Sequence, residues 1–240
     1  MNAMQAAFSS LRVRDYRLFF IAQLVSQAGN NMQLVAQGWV VLQLTHSGVA
    51  LGYIVALQYL PLLLFGPFGG ALADRFDRRR ILYVTQTSLG LIAVVLSILT
   101  IGSAERIWEL YLLAFLAGLT SVADIPARQS MIYDLVPRAD LNNAIMLNSI
   151  EINIARIVGP AAGGLILALA SASICFALNA VSFAVVVVTM TVMNLTAHTM
   201  DRNVTLGSGV LDGLTYAART PTILLPVIMV AVVGMFRFGG

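Results

Sequence analysis

Seven apolar runs of membrane-spanning length leave this chain few folds to choose from. They occupy residues 18–44, 49–73, 81–102, 107–126, 141–170, 174–195 and 223 to the end. A bilayer core takes roughly 20 apolar residues as a helix. Lipid cannot satisfy open backbone groups, so helices are the only plausible way to span here, where alternating β patterning is absent. Composition agrees. The chain is 59% hydrophobic and 10% charged, against about 25% charged in soluble domains. The sequence therefore predicts an all-α, polytopic integral membrane protein.

The densest charge cluster falls between the second and third runs. Asp74-Arg75-Phe76-Asp77-Arg78-Arg79-Arg80 holds six charges in seven residues. Arg-rich turns of this kind stay on the cytoplasmic side, and that choice orients every other run. It places Arg12, Arg14, Arg17, Arg75, Arg78, Arg79, Arg80, Arg128, Arg138, Arg202 and Arg219 inside, and Arg106 outside. Arg156 and Arg237 lie within runs. The bias predicts a cytoplasmic N-terminus. It also explains the net charge of +3 as a topology signal, not a nucleic-acid surface. Every basic residue is Arg, and nothing physical in the sequence explains that. The first run is too long for a signal-peptide core and reads as an uncleaved first helix.

The same turn carries a resemblance. Gly70-x-Leu72-Ala73-Asp74-Arg75-x-x-Arg78-Arg79-Arg80 resembles the loop between the second and third helices of the major facilitator superfamily. Asp77 departs from the pattern, since many members carry Gly there. Gly159-Pro160-Ala161-Ala162-Gly163-Gly164, preceded by Ala155, resembles the fifth-helix motif of that superfamily's drug exporters. Together with Pro126-Ala127-Arg128-Gln129 and Asn143-Ala144-x-x-Leu147-Asn148-Ser149, the pattern is similar to the enterobactin-exporter and macrolide-efflux branch. The resemblance implies a six-helix N-terminal bundle of the major facilitator fold, a 3+3 inverted repeat. It covers residues 1–195, with a cytoplasmic linker at 196–220 and the start of a seventh helix at 221–240. Residues 210–219 read as a short surface helix in that linker. The implied partners are a small-molecule substrate, protons, the bilayer of the bacterial inner membrane and a missing C-terminal half.

The resemblance also implies roles. Gly70, Asp74, Arg75, Arg78 and Arg79 become a conformational latch, with Asp74 docking on a helix of the other half. Arg78 is expected to pair with an acid at the inner end of the fourth helix, and Asp124 is the acid available there. The bland alternative pairs Asp124 with Arg128 four residues on. The residues from 127 to 140 read as an amphipathic loop, with Asp140 capping the fifth run.

Polar groups inside the runs are the remaining signal. Gln23, Gln27, Asn30 and Gln37 recur at spacings of four, three and seven, which is one helical stripe. They serve either interhelical hydrogen bonding or, as the resemblance favours, an aqueous cavity. Glu151 and Arg156 lie deep in the fifth run. Ionisable groups at that depth cost at least ~2.5 kcal/mol unless paired or hydrated. Glu151 is therefore either half of a buried ion pair or a proton carrier, and each of the two needs a partner on another run. Ala155, Gly159 and Gly163 form a small-residue stripe suited to close packing, with Pro160 bending the helix. The sixth run reads as lipid-facing or supporting.

Other classes find little support. There is no G-x-x-x-x-G-K-[ST] run and no Lys to build one, which removes self-powered transport by these residues. His46 and His198 are far apart, Cys175 is the one cysteine, and no metal-ligand or nucleophile pattern appears. No cofactor is implied. The first reading is a secondary exporter that moves a small amphipathic molecule (a drug, macrolide or siderophore) against protons. The alternative is a truncated, non-transporting fragment, or a half that needs a partner half.

Overall fold

A computed structural model describes residues 8–102 and 105–193. Six long helices make up the bundle: α1 Arg14–Thr45, α2 Gly48–Arg75, α3 Arg78–Ile101, α4 Ile107–Leu135, α5 Leu141–Leu169 and α6 Ala172–Val192. No strand occurs among the described residues. Five of the helices are long and apolar enough to cross a membrane. The exception, α1, has ample length at 32 residues, but its Gln and Asn side chains lower its hydropathy. The chain is a multi-pass membrane protein. Its outer surface agrees, with large apolar side chains exposed on all six helices, Leu63 and Leu169 at 79% among them. An outer surface this apolar is sustainable in lipid, not in water. The seventh span, the linker and the 210–219 helix lie outside the described residues.

Local chemistry sets the turns. His46 ends α1 in the left-handed region at φ 49°, and the Ser47 hydroxyl accepts from Ala50 N at the start of α2. Asp77 Oδ1 accepts from Arg79 N at 2.9 Å, so Asp77 is the N-cap of α3. Gly is the next-best residue at a cap, which accounts for the departure from the motif. The Glu109 carboxylate accepts from the Arg106 backbone at 3.0 Å. Asp140 holds the N-cap position of α5 but makes no side-chain cap bond, contrary to expectation. Its carbonyl instead accepts from the Ser10 hydroxyl, which also donates to Asn143 Oδ1.

Helix pairing follows an internal symmetry. The extensive contacts are α2 with α4, α1 with α5, α3 with α6, α1 with α6, and α3 with α4. Map α1 onto α4, α2 onto α5 and α3 onto α6. The α1–α5 pair then becomes α4–α2, α1–α6 becomes α4–α3, and α3–α6 maps onto itself. This is the pairing a 3+3 repeat requires. Glycines make the two equivalent pairs close. A Cβ on Gly159 would stand 2.6 Å from Asn31 Cβ, and one on Gly118 would meet the Gln58 carbonyl.

Two corrections concern helix extents. α4 does not end at Pro126 but runs on to Leu135, so most of the expected 127–140 loop is helix. Pro126 removes the N–H that would reach the Val122 carbonyl. Gly69 of α2 packs directly on that oxygen, and only a residue without a side chain fits there. The sixth helix is not merely a lipid-facing support. Asn179 is fully buried and donates to Gln33 Oε1 at 2.8 Å, while the Ser182 hydroxyl donates to Asn179 Oδ1 at 2.9 Å. Cys175 is buried among apolar side chains, as a packing residue.

The interior is layered along the helix axes. One apolar cluster gathers Tyr16, Phe19, Leu82, Met131, Leu147 and Met190. The other gathers Met32, Val41, Leu96, Leu110 and Phe176. Between them lies a polar layer containing Gln23, Ser26, Thr85, Gln86, Asp124 and Glu151, all buried.

Candidate functional site

The polar layer opens into a cavity of about 250 Å³. All six helices contribute. Its polar lining includes Gln23, Gln27 and Asn30 of α1, Gln58 of α2, Gln86 of α3, Asp124 and Arg128 of α4, and Arg156 of α5. Three residues of the α1 stripe therefore face the cavity. Gln37 lies beyond it and donates to the Leu110 carbonyl at 3.3 Å, which is interhelical bonding. One stripe serves both purposes, divided by depth.

Asp124 does not pair with Arg78. Its Oδ1 accepts from Thr85 Oγ1 at 2.7 Å and from Gln86 Nε2 at 2.8 Å. Its Oδ2 stands 3.9 Å from Arg128 Nε, the local pairing that the i, i+4 spacing offered. Arg128 is no loop residue. Its side chain is 11% exposed and it lines the cavity. With the Gln27 amide turned so that oxygen faces the guanidinium, Gln27 accepts from Arg128 Nη2 at 3.2 Å and also from Nη1. Glu151, 3% exposed, lies in electrostatic range of Arg128, and its Oε1 has no hydrogen-bond partner. So Arg128 is the shared counter-charge of two buried acids. Sequence reading missed this because Pro126 looked like the end of the helix. Continuing the helix four residues would have exposed it.

Glu151 and Arg156 sit on one helix but do not pair. Arg156 lines the cavity, is exposed, and makes no ion pair among the described residues.

At one end of the bundle the Arg-rich turn ties three helices together. Arg78 Nη1 contacts both Asp134 carboxylate oxygens, at 2.7 and 2.8 Å, and donates to the Ser130 carbonyl at 3.4 Å. Arg79 Nη2 donates to the Met190 carbonyl at 2.9 Å and its guanidinium lies over the Tyr83 ring. Adjacent arginines thus sit on the C-terminal turns of α4 and α6, where cations oppose the helix dipole favourably. The expected acid on the fourth helix exists, but it is Asp134, ten residues beyond Asp124. The reason is again that α4 continues past Pro126. Gly70, Asp74 and Arg75 touch neither acid, and Asp74 and Arg75 are exposed.

Reversing Arg78 to Asp should lower the unfolding temperature, and adding Asp134→Arg should restore it. The pair is about one-fifth exposed on each side, so roughly 1 kcal/mol or somewhat more is at stake. Rescue by Asp124→Arg in place of Asp134→Arg would overturn the assignment.

In the exporter-like motif the four named residues divide. Gly159 and Gly163 pack on Ala28, Asn31 and Met32 of α1. Pro160 sits inside α5. Gly164 meets nothing within 4 Å and faces a second, apolar cavity of about 610 Å³ between α1, α2 and α5.

The profile of the transmembrane secretion effector family matches residues 5–238. The chain belongs to that family, within the major facilitator superfamily. Among its relatives, the staphyloferrin A transporter of Staphylococcus aureus is 32% identical over 172 residues, covering 71% of this chain and 43% of that protein. The multidrug efflux pump Tap of Mycobacterium tuberculosis is 30% identical over 210 residues, 83% of this chain and 50% of Tap. The uncharacterized MFS-type transporter YfiS of Bacillus subtilis is 27% identical over 218 residues, 88% of this chain and 51% of that protein. This transmembrane secretion effector family member thus spans about half the length of the curated relatives it matches, and those relatives are named as transporters.

Proposed function

We propose that this chain forms the N-terminal bundle of a secondary active exporter, which carries a small amphipathic molecule outward in exchange for protons. The observation that carries the reading is the polar cavity held between two apolar layers, together with a buried acid outside its lining, Glu151, which lies in electrostatic range of the lining Arg128 and whose Oε1 has no hydrogen-bond partner among the described residues. A buried carboxylate beside a cavity-lining charge is the kind of group that proton relays are built from. The names of the relatives, a staphyloferrin A transporter and a multidrug efflux pump, support export of small molecules. The relatives named above are bacterial, which supports a bacterial cytoplasmic membrane. The Arg-rich turn supports a cytoplasmic N-terminus.

Under this reading Gly70, Asp74, Arg75, Arg78 and Arg79 latch the bundle to a second six-helix half. Asp74 and Arg75, exposed beside the Arg78–Asp134 clasp, reach across to that half. A second reading rests on the half-length match: the chain transports nothing until another bundle joins it. Native gels and efflux from vesicles containing the 240-residue product separate the two.

Glu151→Gln tests the coupling. In everted vesicles, export driven by a proton gradient should fall to the level of empty membranes. Substrate exchange without a gradient should persist. Gradient-driven export at the unmodified rate would remove Glu151 from the mechanism.

A further inference from the structure

Two cavities meet in this bundle. The polar one surrounds Asp124, Arg128 and Arg156, and the apolar one runs between α1, α2 and α5. They are not separate sites. Leu34 of α1 and Gln58 of α2 line both. The two together follow α1 from Gln23 to Leu42, a distance of roughly 28 Å at the helical rise.

Each part of this track has a definite chemistry. In the polar part, Asp124 is satisfied by Thr85 and Gln86. Arg128 is held by Gln27, Asp124 and the nearby Glu151. Arg156 is left as the lining cation without an acid among the described residues. At the seam, Gln58 Oε1 is out of contact with water and accepts no hydrogen bond. A buried amide oxygen in that state calls for a donor. In the apolar part, Gly164 leaves open space beside Leu167 and Leu51.

We infer that the two cavities form one site for an anionic amphiphile: an acidic head on Arg156, a hydrogen-bond donor on Gln58, and an apolar tail in the groove beside Gly164. The inference rests on the exporter reading but goes further, since it fixes the sign of the substrate's charge and the direction in which it lies. A cationic drug meets no free acid in the lining: Asp124 is already engaged by Thr85, Gln86 and Arg128, and Glu151 is not among the lining residues. An anion gains a charge-assisted hydrogen bond at Arg156, and the guanidinium suits a carboxylate or phosphate in the two-pronged mode.

The test uses the chain in nanodiscs and a fluorescent fatty acid, dansyl-aminoundecanoate, beside its trimethylammonium counterpart of equal length. The acid should bind more tightly than the ammonium. Arg156→Gln should weaken the acid about tenfold, as expected for losing one charge-assisted contact, and leave the ammonium unchanged. Gly164→Leu should weaken both probes, because the tail loses its space. A dansyl acid with a much shorter tail should bind weakly to the unmodified chain and be indifferent to Gly164→Leu. Equal binding of acid and ammonium, or an acid affinity unmoved by Arg156→Gln, overturns the charge assignment. Tail-length independence overturns the groove assignment, and a lipid chain is then its occupant. Efflux of the two probes from cells keeps this apart from the exporter reading. Export of the ammonium alone defeats only the anion proposal, whereas tight, Arg156-dependent binding without export of either probe supports the site and favours the reading in which transport waits for a second bundle.

Discussion

Replacing Gly118 with alanine should destabilise the bundle by on the order of 1–3 kcal/mol. A single methyl group is enough because of what it meets. The new Cβ would land on the carbonyl group of Gln58, with the Gln58 Cα only 3.2 Å away. These are backbone atoms in the middle of α2, so no rotamer change relieves the overlap. Relief requires α2 and α4 to separate, and that also breaks the contact of Gly69 with the Val122 carbonyl. In membranes, helix association depends on close backbone packing, since lipid tails are as apolar as leucine. Gly164→Ala is the internal control, because its Cβ meets nothing within 4 Å. It should melt at the unmodified temperature or slightly above, in line with the helix preference of alanine. Thermal unfolding in detergent, followed by fluorescence, reads both. Equal losses at the two positions would mean that close packing is not what Gly118 provides.

The second large effect is expected at Arg128. Removing its charge with Arg128→Met should cost roughly 3–5 kcal/mol, the usual penalty for stranding a buried partner. Two acids are stranded here, Asp124 at 6% and Glu151 at 3% exposure. Adding Asp124→Asn should recover part of the loss, because Thr85 and Gln86 then face a neutral amide. Arg156→Gln should leave the unfolding temperature nearly unchanged, since Arg156 is exposed and has no ion pair among the described residues. An Arg128→Met chain that unfolds at the normal temperature would show that the acids have another counter-charge.

The legible part of this protein was its periodicity. Runs of apolar residues gave the six described helices to within a few residues at most ends, because bilayer thickness and helical rise leave little freedom. The stripe of Gln23, Gln27 and Asn30 located the cavity, since a helix puts such spacings on one face. What misled was proline. In water Pro126 would break a helix, but in this bundle a neighbouring glycine covers the freed carbonyl and the helix continues. That one residue concealed both the true partner of Arg78 and the role of Arg128. Asn179 was hidden for another reason. A lone amide in an apolar run has no spacing partner of its own, and its bond to Gln33 joins residues 146 positions apart. No local pattern encodes such a contact.

The layered interior has an electrical meaning. The two apolar clusters act as insulators in series, and the polar layer is the node between them. A membrane voltage does about 2.3 kcal/mol of work per elementary charge for each 100 mV crossed. The node divides that work into two instalments. A charge reaching Glu151 or Arg156 from one face has crossed one insulator and still has the other ahead of it. In the proposed exporter, the thickness of each cluster, set by residues as ordinary as Leu82 and Leu96, would therefore decide how much of the voltage acts on loading and how much on release.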